Sequence, residues 1–249
     1  MKKLLKSILI KIFHPLAIKL GYIRAKNDKN KLLDNFYNIL KQMDLKVNHI
    51  VDIGANHGTW TREALLHFPN AHYTMIEPQE WLKPSFQDLL DNNAKISFHA
   101  VGAGKEEGSF KFTIADRDDS CTFKYTKEEA EKMNLKQIEI PVVTLNSLLK
   151  NSNKPTPNIV KIDAEGLDIE VLEGASDLIG KTEVFMVEAG VVNKAFANSV
   201  LDVVSYMDNK GYRLFEITDL NRPFNPKVLW LTELVFIKKD GIIDSYQII

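Results

Sequence analysis

The sequence predicts an α/β protein in which a mostly parallel β-sheet is covered by helices on both faces. Apolar runs of strand length alternate with helical patterns along most of the chain, which is typical of parallel sheets. Several of these runs end in an acidic residue followed by glycine or proline. The 249 residues, 45% of them hydrophobic, suit one large domain with a sizeable core better than two small domains.

The predicted elements follow in chain order. Residues 31–43 carry an apolar stripe at helical spacing, and residues 49–53 form the first strand. The last two strands are expected to pair antiparallel and close the sheet. We expect further helices over residues 60–67, 81–92, 169–178 and 200–210, and further strands over residues 73–76, 96–101, 159–162, 182–188, 212–217 and 228–237.

The alternation changes between residues 109 and 145. Residues 110–114 and 138–143 are predicted strands around a polar, charged middle, and we interpret the whole segment as an insertion or lid. Its polar side chains either cap turns or line the substrate opening, and the sequence leaves both interpretations open. These side chains are Asp116, Asp118, Asp119, Ser120 and Thr122.

Residues 1–30 form a basic amphipathic arm before the domain of residues 31–249. Residues 1–26 hold seven Lys or Arg and no acid, which leaves 25 basic against 33 acidic residues, or −8, in the remainder. We expect peripheral association with an anionic membrane through residues 1–22, or a helix packed on the domain. Lys6 and Lys11 interrupt the apolar run, which argues against a signal peptide or membrane span.

Composition also limits the compartment and the partners. Cys121 is the only cysteine, so no intrachain disulfide is possible. We expect a reducing, cytoplasmic setting, with the arm at the inner membrane face as an option. The acidic domain argues against nucleic acid and leaves a small-molecule or glycan acceptor, and the oligomeric state is not predicted.

The most informative motif is residues 51–58, VDIGANHG. A strand that stops at glycine before a helix lets the backbone approach a ligand closely, although such glycines also occur for steric reasons alone. The third glycine of the dinucleotide-binding pattern is missing, which favours S-adenosylmethionine over NAD. Gly54 and Gly58 would wrap its methionine portion, and Asp52 and Asn56 would anchor its polar groups directly or through water.

Acidic residues end four predicted strands, so the fold would gather them along one edge of the sheet. They are Asp52, Glu77, Asp163 and Glu188. Glu77 follows Asp52 by 25 residues and is expected to accept the ribose hydroxyls. Val101, at the end of the next predicted strand, is a further candidate for cofactor contact.

The candidate catalytic residues are Asp163, Glu165 and His57, because a carboxylate or imidazole can take the proton of an attacking hydroxyl. His99 could also serve, although either histidine could instead be structural. Asp163 with Glu165 could bind Mg²⁺, but no third clustered ligand is evident and we expect no metal site.

The chain resembles the FkbM family of methyltransferases. The resemblance rests on residues 52–58 (DIGANHG), on Glu77-Pro78, on residues 143–145 (VTL) and on residues 161–166 (KIDAEG) with residues 171–175 (VLEGA) behind them. It implies a class I, Rossmann-like, seven-stranded sheet with a reversed last strand. It also implies S-adenosylmethionine as cofactor and O-methylation of a hydroxyl on a sugar, glycan or small metabolite.

Two positions differ from the common pattern of that family. His99 stands where an asparagine is common, and Asn146 stands where an aspartate is common. Asn146 either replaces a catalytic acid, which would put the activity in doubt, or caps the following helix.

The alternative functions are a non-catalytic nucleoside-binding or membrane-associated scaffold and an NAD-dependent oxidoreductase.

Overall fold

The computed structural model describes residues 31–150, 152–192 and 196–246. The basic arm of residues 1–30, with its membrane-binding segment 1–22, lies outside the described residues, and both remain predictions. No helix among the residues described is long and apolar enough to cross a membrane.

Helices and strands alternate as the sequence predicts. The α-helices are α1 (Lys31–Gln42), α2 (Thr59–His67), α3 (Gln87–Asn92), α4 (Lys127–Lys132), α5 (Leu145–Lys150), α6 (Asp168–Glu173) and α7 (Val200–Asn209). The strands are β1 (His49–Ile53), β2 (His72–Ile76), β3 (Ile96–His99), β4 (Gly102–Ala103), β5 (Gly108–Ile114), β6 (Lys136–Val143), β7 (Ile159–Ile162), β8 (Val184–Gly190), β9 (Tyr212–Asn221) and β10 (Leu231–Lys238).

Seven strands form the main sheet in the order β3-β2-β1-β7-β8-β10-β9. The pairs from β3 to β8 are parallel, whereas β10 is antiparallel to both β8 and β9. This confirms the predicted seven-stranded, mostly parallel sheet with a reversed last strand. Strands β2 and β7 lie on opposite sides of β1, so the strand order reverses between β1 and β7. In sheets of this kind, ligands bind at the carboxyl ends of the strands at such a reversal.

Side-chain alternation on the strands builds one apolar core on each face of the sheet. On β7, Ile159 packs with Phe36 of α1 in the first core, and Val160 packs with Leu172 of α6 in the second. All four are almost completely buried. Because successive side chains point to opposite faces, Asp52 and Lys161 lie on the α1 face, beyond the apolar part of that core.

The predicted helix at residues 81–92 is divided. A 3₁₀-helix covers Glu80–Phe86 and α3 follows at Gln87–Asn92. Pro84 lies inside the first part, where its ring and missing N–H oppose a continuous α-helix.

The segment between residues 109 and 145 forms its own small sheet. Strands β5 and β6 pair antiparallel, and β4 pairs parallel with β6. The charged middle contains α4, which the sequence analysis missed although Thr126 and Glu129 form a capping box at its start.

Gly54 tests the close approach of the β1 and β7 loops. Its φ is +71°, and a methyl group added there would lie 2.0 Å from the carbonyl oxygen of Asp163. We expect Gly54→Ala to lower the free energy of unfolding by more than about 3 kcal/mol in urea denaturation, through left-handed strain and backbone collision together. Gly180→Ala is the control, because Gly180 has φ +77° and a methyl group added there would meet no other atom within 4 Å. Gly180→Ala should lower the free energy of unfolding by about 1 kcal/mol, through left-handed strain alone. Equal losses in the two variants would show that the added methyl group at residue 54 does not collide with the backbone of Asp163.

Candidate functional site

The loop after β1 has a tight backbone held by the end of β2. Gly54, Asn56 and Gly58 have φ values of 71°, 45° and 72°. The N–H groups of Gly54 and Ala55 donate to the carbonyl oxygen of Ile76, at 2.9 and 3.1 Å. The Asn56 N–H donates to Oε2 of Glu77 at 2.9 Å. The two predicted cofactor-binding segments are therefore locked together.

The loop after β7 is held by Asp168, a residue that the sequence analysis missed. Its fully buried carboxylate accepts the N–H of Ala164 at 2.9 Å and the N–H of Gly166 at 3.2 Å. Glu165, between them, has a φ of 51°, which is unusual for a residue with a side chain. An acid in the first turn of a helix, just after an acid–glycine loop, is the signal that could have identified Asp168.

The buried side chain of Lys161 connects the β1 and β7 loops. Its side chain is 6% exposed, and its Nζ lies 3.2 Å from Oδ2 of Asp163 and 3.5 Å from Oδ1 of Asp52. It also donates to the carbonyl oxygen of Gly54 at 3.1 Å. Burial alone would lower the pKa of Lys161, but the charges of Asp163 and Asp52 raise it above the ordinary value, so the ammonium stays charged.

A first cleft opens above these loops. It brings together five of the predicted site residues: Gly54, Asn56, Glu77, Asp163 and Glu165. Its apolar lining comes from both the sheet and the inserted segment. These side chains are Ile53, Ile76, Ala103, Phe112, Phe123 and Leu167.

Glu77 has a defined orientation in this cleft. Its Oε1 accepts the N–H of Gln79 at 3.0 Å while its Oε2 accepts the N–H of Asn56. Burial raises the pKa of Glu77, and these two backbone hydrogen bonds oppose the rise. The Gln79 side chain also opposes the rise, and the carboxylate as a whole still has a lone pair for a further donor.

Gln79 is a second residue that the sequence analysis missed. Its Nε2 donates to the carbonyl oxygen of Asp118 at 2.8 Å, which fixes the amide orientation. Its Oε1 is buried and has no hydrogen-bond partner among the described residues. A buried acceptor without a donor at the wall of a cleft is a place for a ligand N–H.

The inserted segment closes the first cleft from one side. The Phe123 ring packs on Gly102, where an added methyl group would lie 2.6 Å from the ring, and contacts the Phe112 ring at a centroid distance of 4.7 Å. Asp118, Asp119 and Thr122 line the cleft. Asp116 and Ser120, the other polar candidates of this segment, are exposed and not in the lining.

Four predicted cofactor or catalytic residues lie outside that lining. Asp52 is buried on the α1 face, where it accepts the Thr61 hydroxyl at 2.5 Å. Gly58 faces Phe86, and Val101 packs against the second apolar core. His57 is exposed, with Nδ1 3.0 Å from Ser85 Oγ and Nε2 3.2 Å from Asp118 Oδ2.

The two positions that depart from the family pattern have structural contacts. The backbone carbonyl of His99 accepts the N–H of Glu77 at 3.2 Å. Burial, with Lys154 nearby, lowers the pKa of the His99 ring. Asn146 donates to Ser176 Oγ at 2.9 Å and accepts the Asp177 N–H at 3.0 Å, away from both strand-end loops. Thr144, not Asn146, caps α5 by accepting the Ser147 N–H at 3.1 Å.

A second cleft lies on the α1 side of the same sheet edge. It shares a single lining residue, Asp163, with the first cleft. Its other lining residues come from α1, α2 and the strands β7 to β10. They are Leu33, Thr59, Trp60, Glu63, Lys161, Glu188, Thr218, Asp219 and Glu233. Of the four strand-end acids, Glu77 therefore lines the first cleft, Glu188 lines the second, Asp163 lines both and Asp52 lines neither.

Carboxyl groups around the shared Asp163 have raised pKa values. Burial, followed by the charges of Asp163 and Asp168, raises the pKa of Glu165 to about 9 and the pKa of Glu188 well above its usual value. Burial raises the pKa of Glu233 to about 7, although the hydroxyl of Thr218 opposes this from 2.5 Å. Close carboxyls avoid ionising together.

Comparisons with known proteins agree on one family. Residues 52–214 match the family model described as the methyltransferase FkbM domain. A protein of Beauveria bassiana named methyltransferase 1 is 23% identical over 166 residues, covering 60% of this chain and 66% of the relative. The hexuronic acid methyltransferase AglP of Haloferax volcanii is 26% identical over 177 residues, covering 69% of this chain and 65% of the relative.

The chain therefore spans about two thirds of the length of the curated relatives it matches. Among solved structures, the crystal structure of WbdD superposes with a TM-score of 0.51 at 11% identity. The superposition covers 86% of this chain and 40% of WbdD, and it indicates a shared fold.

The raised pKa of Glu233 makes stability depend on pH. A carboxyl whose folded pKa of about 7 exceeds its ordinary value near 4.5 contributes stability that is present below pH 4.5 and lost as the pH rises to 7. We expect Glu233→Gln to equal the parent protein at pH 5 and to exceed it by about 2 kcal/mol at pH 8 in urea denaturation. The exposed Glu107→Gln is the control, and a difference independent of pH would rule out this ionisation.

Proposed function

The chain belongs to the FkbM family of S-adenosylmethionine-dependent methyltransferases, and on that premise we propose that it methylates a hydroxyl of a sugar, glycan or other small metabolite. The observation that carries the proposal is the position of Asp163. This carboxylate lines both clefts, one with the character of a nucleoside site and the other polar and open. A donor in the first cleft and an acceptor in the second would meet at Asp163.

The first cleft suits S-adenosylmethionine by the chemistry of its groups. Glu77 would accept the ribose hydroxyls with its remaining lone pairs. The unpaired Oε1 of Gln79 would accept the adenine amino group, and the Phe123 ring would cover the base. The left-handed turn from Gly54 to Asn56 would bring backbone close to the methionine portion.

The chemistry requires a base and accurate positioning. S-adenosylmethionine, when bound, supplies an electrophilic methyl group, and its C–S bond breaks as a C–O bond forms to the acceptor. Asp163 would accept the hydroxyl proton as that oxygen loses its charge density, with the ammonium of Lys161 3.2 Å away as counter-charge. The pKa of Glu165 is raised to about 9, so its carboxyl group would be protonated at neutral pH. It is therefore better suited to donate a hydrogen bond than to act as a base.

The acceptor class rests on two further points. The Haloferax volcanii relative is named for methylation of a hexuronic acid, which is a sugar. The second cleft of this chain is lined by carboxyl, hydroxyl and indole groups, which recognise polyhydroxylated rings. A sugar hydroxyl is therefore the preferred acceptor.

The cofactor assignment predicts a selective loss of affinity in Glu77→Ala. We expect calorimetric titration with S-adenosylhomocysteine to give binding that weakens about 10- to 100-fold in this variant, because the ribose loses its acceptor. Glu80→Ala, three residues away at an exposed position, is the matched control and should bind normally. NADH should not bind either protein. Equal affinity of the two variants for S-adenosylhomocysteine would show that Glu77 does not bind the cofactor.

The base assignment predicts a loss of turnover in Asp163→Asn. We expect kcat to fall about 10²- to 10⁴-fold in mass-spectrometric assays of deuterated methyl transfer to a glycoside panel, while S-adenosylhomocysteine binds within a few-fold of the parent protein. Asp116→Asn, in the inserted segment and exposed, is the control. Cofactor binding by the parent protein without transfer to any acceptor would instead favour the scaffold alternative.

A further inference from the structure

We propose that the second cleft selects a neutral sugar ring as acceptor and excludes uronic acids and phosphorylated sugars at the same position. The inference rests on the proposed function and specifies its substrate class. It concerns the second cleft, which shares only Asp163 with the first.

The charge of the lining is the first argument. Five acidic residues line the second cleft: Glu63, Asp163, Glu188, Asp219 and Glu233. Lys161 is the single basic residue among the described lining residues, and it is already bound to Asp52 and Asp163. An anionic ring would add negative charge to this acidic lining, and Lys161, the one cation among its described residues, is already engaged, which is unfavourable in a partly buried site.

The unpaired polar atoms are the second, independent argument. Oε2 of Glu188 is shielded from solvent and has no hydrogen-bond partner among the described residues. The same holds in the described structure for Nε1 of Trp60, an indole donor in the same lining. One group needs a donor and the other an acceptor, because a carboxylate accepts and an indole N–H donates.

Among carboxylate, phosphate, ammonium and hydroxyl groups, the hydroxyl is the one that satisfies both Glu188 and Trp60. A carboxylate or phosphate would accept from Trp60 but add a negative charge beside carboxyl groups that already avoid ionising together, whereas an ammonium would donate to Glu188 but leave Trp60 unpaired. A hydroxyl both donates and accepts, and a ring with several hydroxyls serves both residues at once. The high pKa of Glu188 also favours a neutral neighbour.

The remaining lining fits the same occupant. The Trp60 ring and Leu33 provide apolar area for the C–H face of a pyranose. The Thr218 hydroxyl donates to Glu233 and keeps lone pairs for a sugar hydroxyl. The ring hydroxyl nearest Asp163 would be the one methylated. This chain would then differ in acceptor from the relative named for a hexuronic acid.

The test uses matched pairs of methyl glycosides that differ only at C6, where the neutral member has a CH₂OH group and the uronide has a carboxylate. Gluco, galacto and manno pairs are added to the full-length protein with saturating S-adenosylhomocysteine. Saturation-transfer NMR reports ring contact, and deuterated methyl transfer with S-adenosylmethionine reports turnover. We expect signal and transfer for neutral members, at least about tenfold above their uronides.

Two variants connect the preference to the named groups. Glu188→Gln keeps the shape and removes the ionisable carboxyl group, and should raise the uronide-to-neutral ratio about tenfold. Trp60→Phe keeps an aromatic face and removes the N–H, and should weaken neutral rings several-fold. Glu173→Gln, exposed on α6, should change neither. Calorimetry with S-adenosylhomocysteine verifies that each variant is folded, because neither Glu188 nor Trp60 lines the first cleft.

The outcomes separate the inference from the proposed function. If S-adenosylhomocysteine does not bind, the proposed function fails and the inference fails with it. If it binds and the uronides are preferred in any pair, or no ring of any pair contacts the protein, the inference is overturned while the methyltransferase assignment stands. An unchanged ratio in Glu188→Gln would also overturn it.

Discussion

The buried ammonium of Lys161 is the interaction on which both clefts depend. It lies at the junction of the β1 and β7 loops and contacts Asp52, Asp163 and the carbonyl oxygen of Gly54. A buried ion pair is costly to desolvate, and its removal leaves the partner charges unpaired. Here two carboxylates share one cation, so the strand ends that carry the glycine turn and the acid loop stay at a fixed separation. The first cleft is the space that this separation leaves.

The same arrangement explains why one sheet edge offers two openings. Asp163 lies at the end of β7 between the first cleft, with Glu77 and Gln79, and the second cleft, with Glu188 and Trp60. Asp168 holds the loop behind Asp163 through the Ala164 and Gly166 N–H groups. Positioning of a reacting group is worth more than its intrinsic basicity when the step is a direct transfer between two bound molecules. The rigid support of Asp163 is consistent with that requirement.

Much of the fold could be predicted from the sequence because strand–helix alternation and acid-ended strands are local patterns. Gly54, Asn56 and Glu77 were predicted to lie together for the same reason, and they do. Asp52 was expected in the cofactor site, but its position in β1 turns it to the α1 face with Lys161. Strand alternation could have shown this, since Val51 and Ile53 flank it on the other face.

Other residues were beyond local patterns. Gln79 and Phe123 face one cleft because the inserted segment folds back on β4, a long-range contact with no periodic signal. The second cleft combines residues from Leu33 to Glu233, and no single motif contains more than a few of them. Predicting it requires the strand order and the register of β10 against β8.

The reversed position of β10 also affects the order in which the site can be completed. All lining residues of the first cleft lie between Ile53 and Leu167, whereas the second cleft includes Glu233, which β10 places beside Glu188. During synthesis, the residues of the first cleft have all been added before β8 leaves the ribosome, whereas the second cleft requires β10. Contacts of such long sequence separation form late. A nascent chain would therefore contain every residue of the first cleft before the second cleft can form.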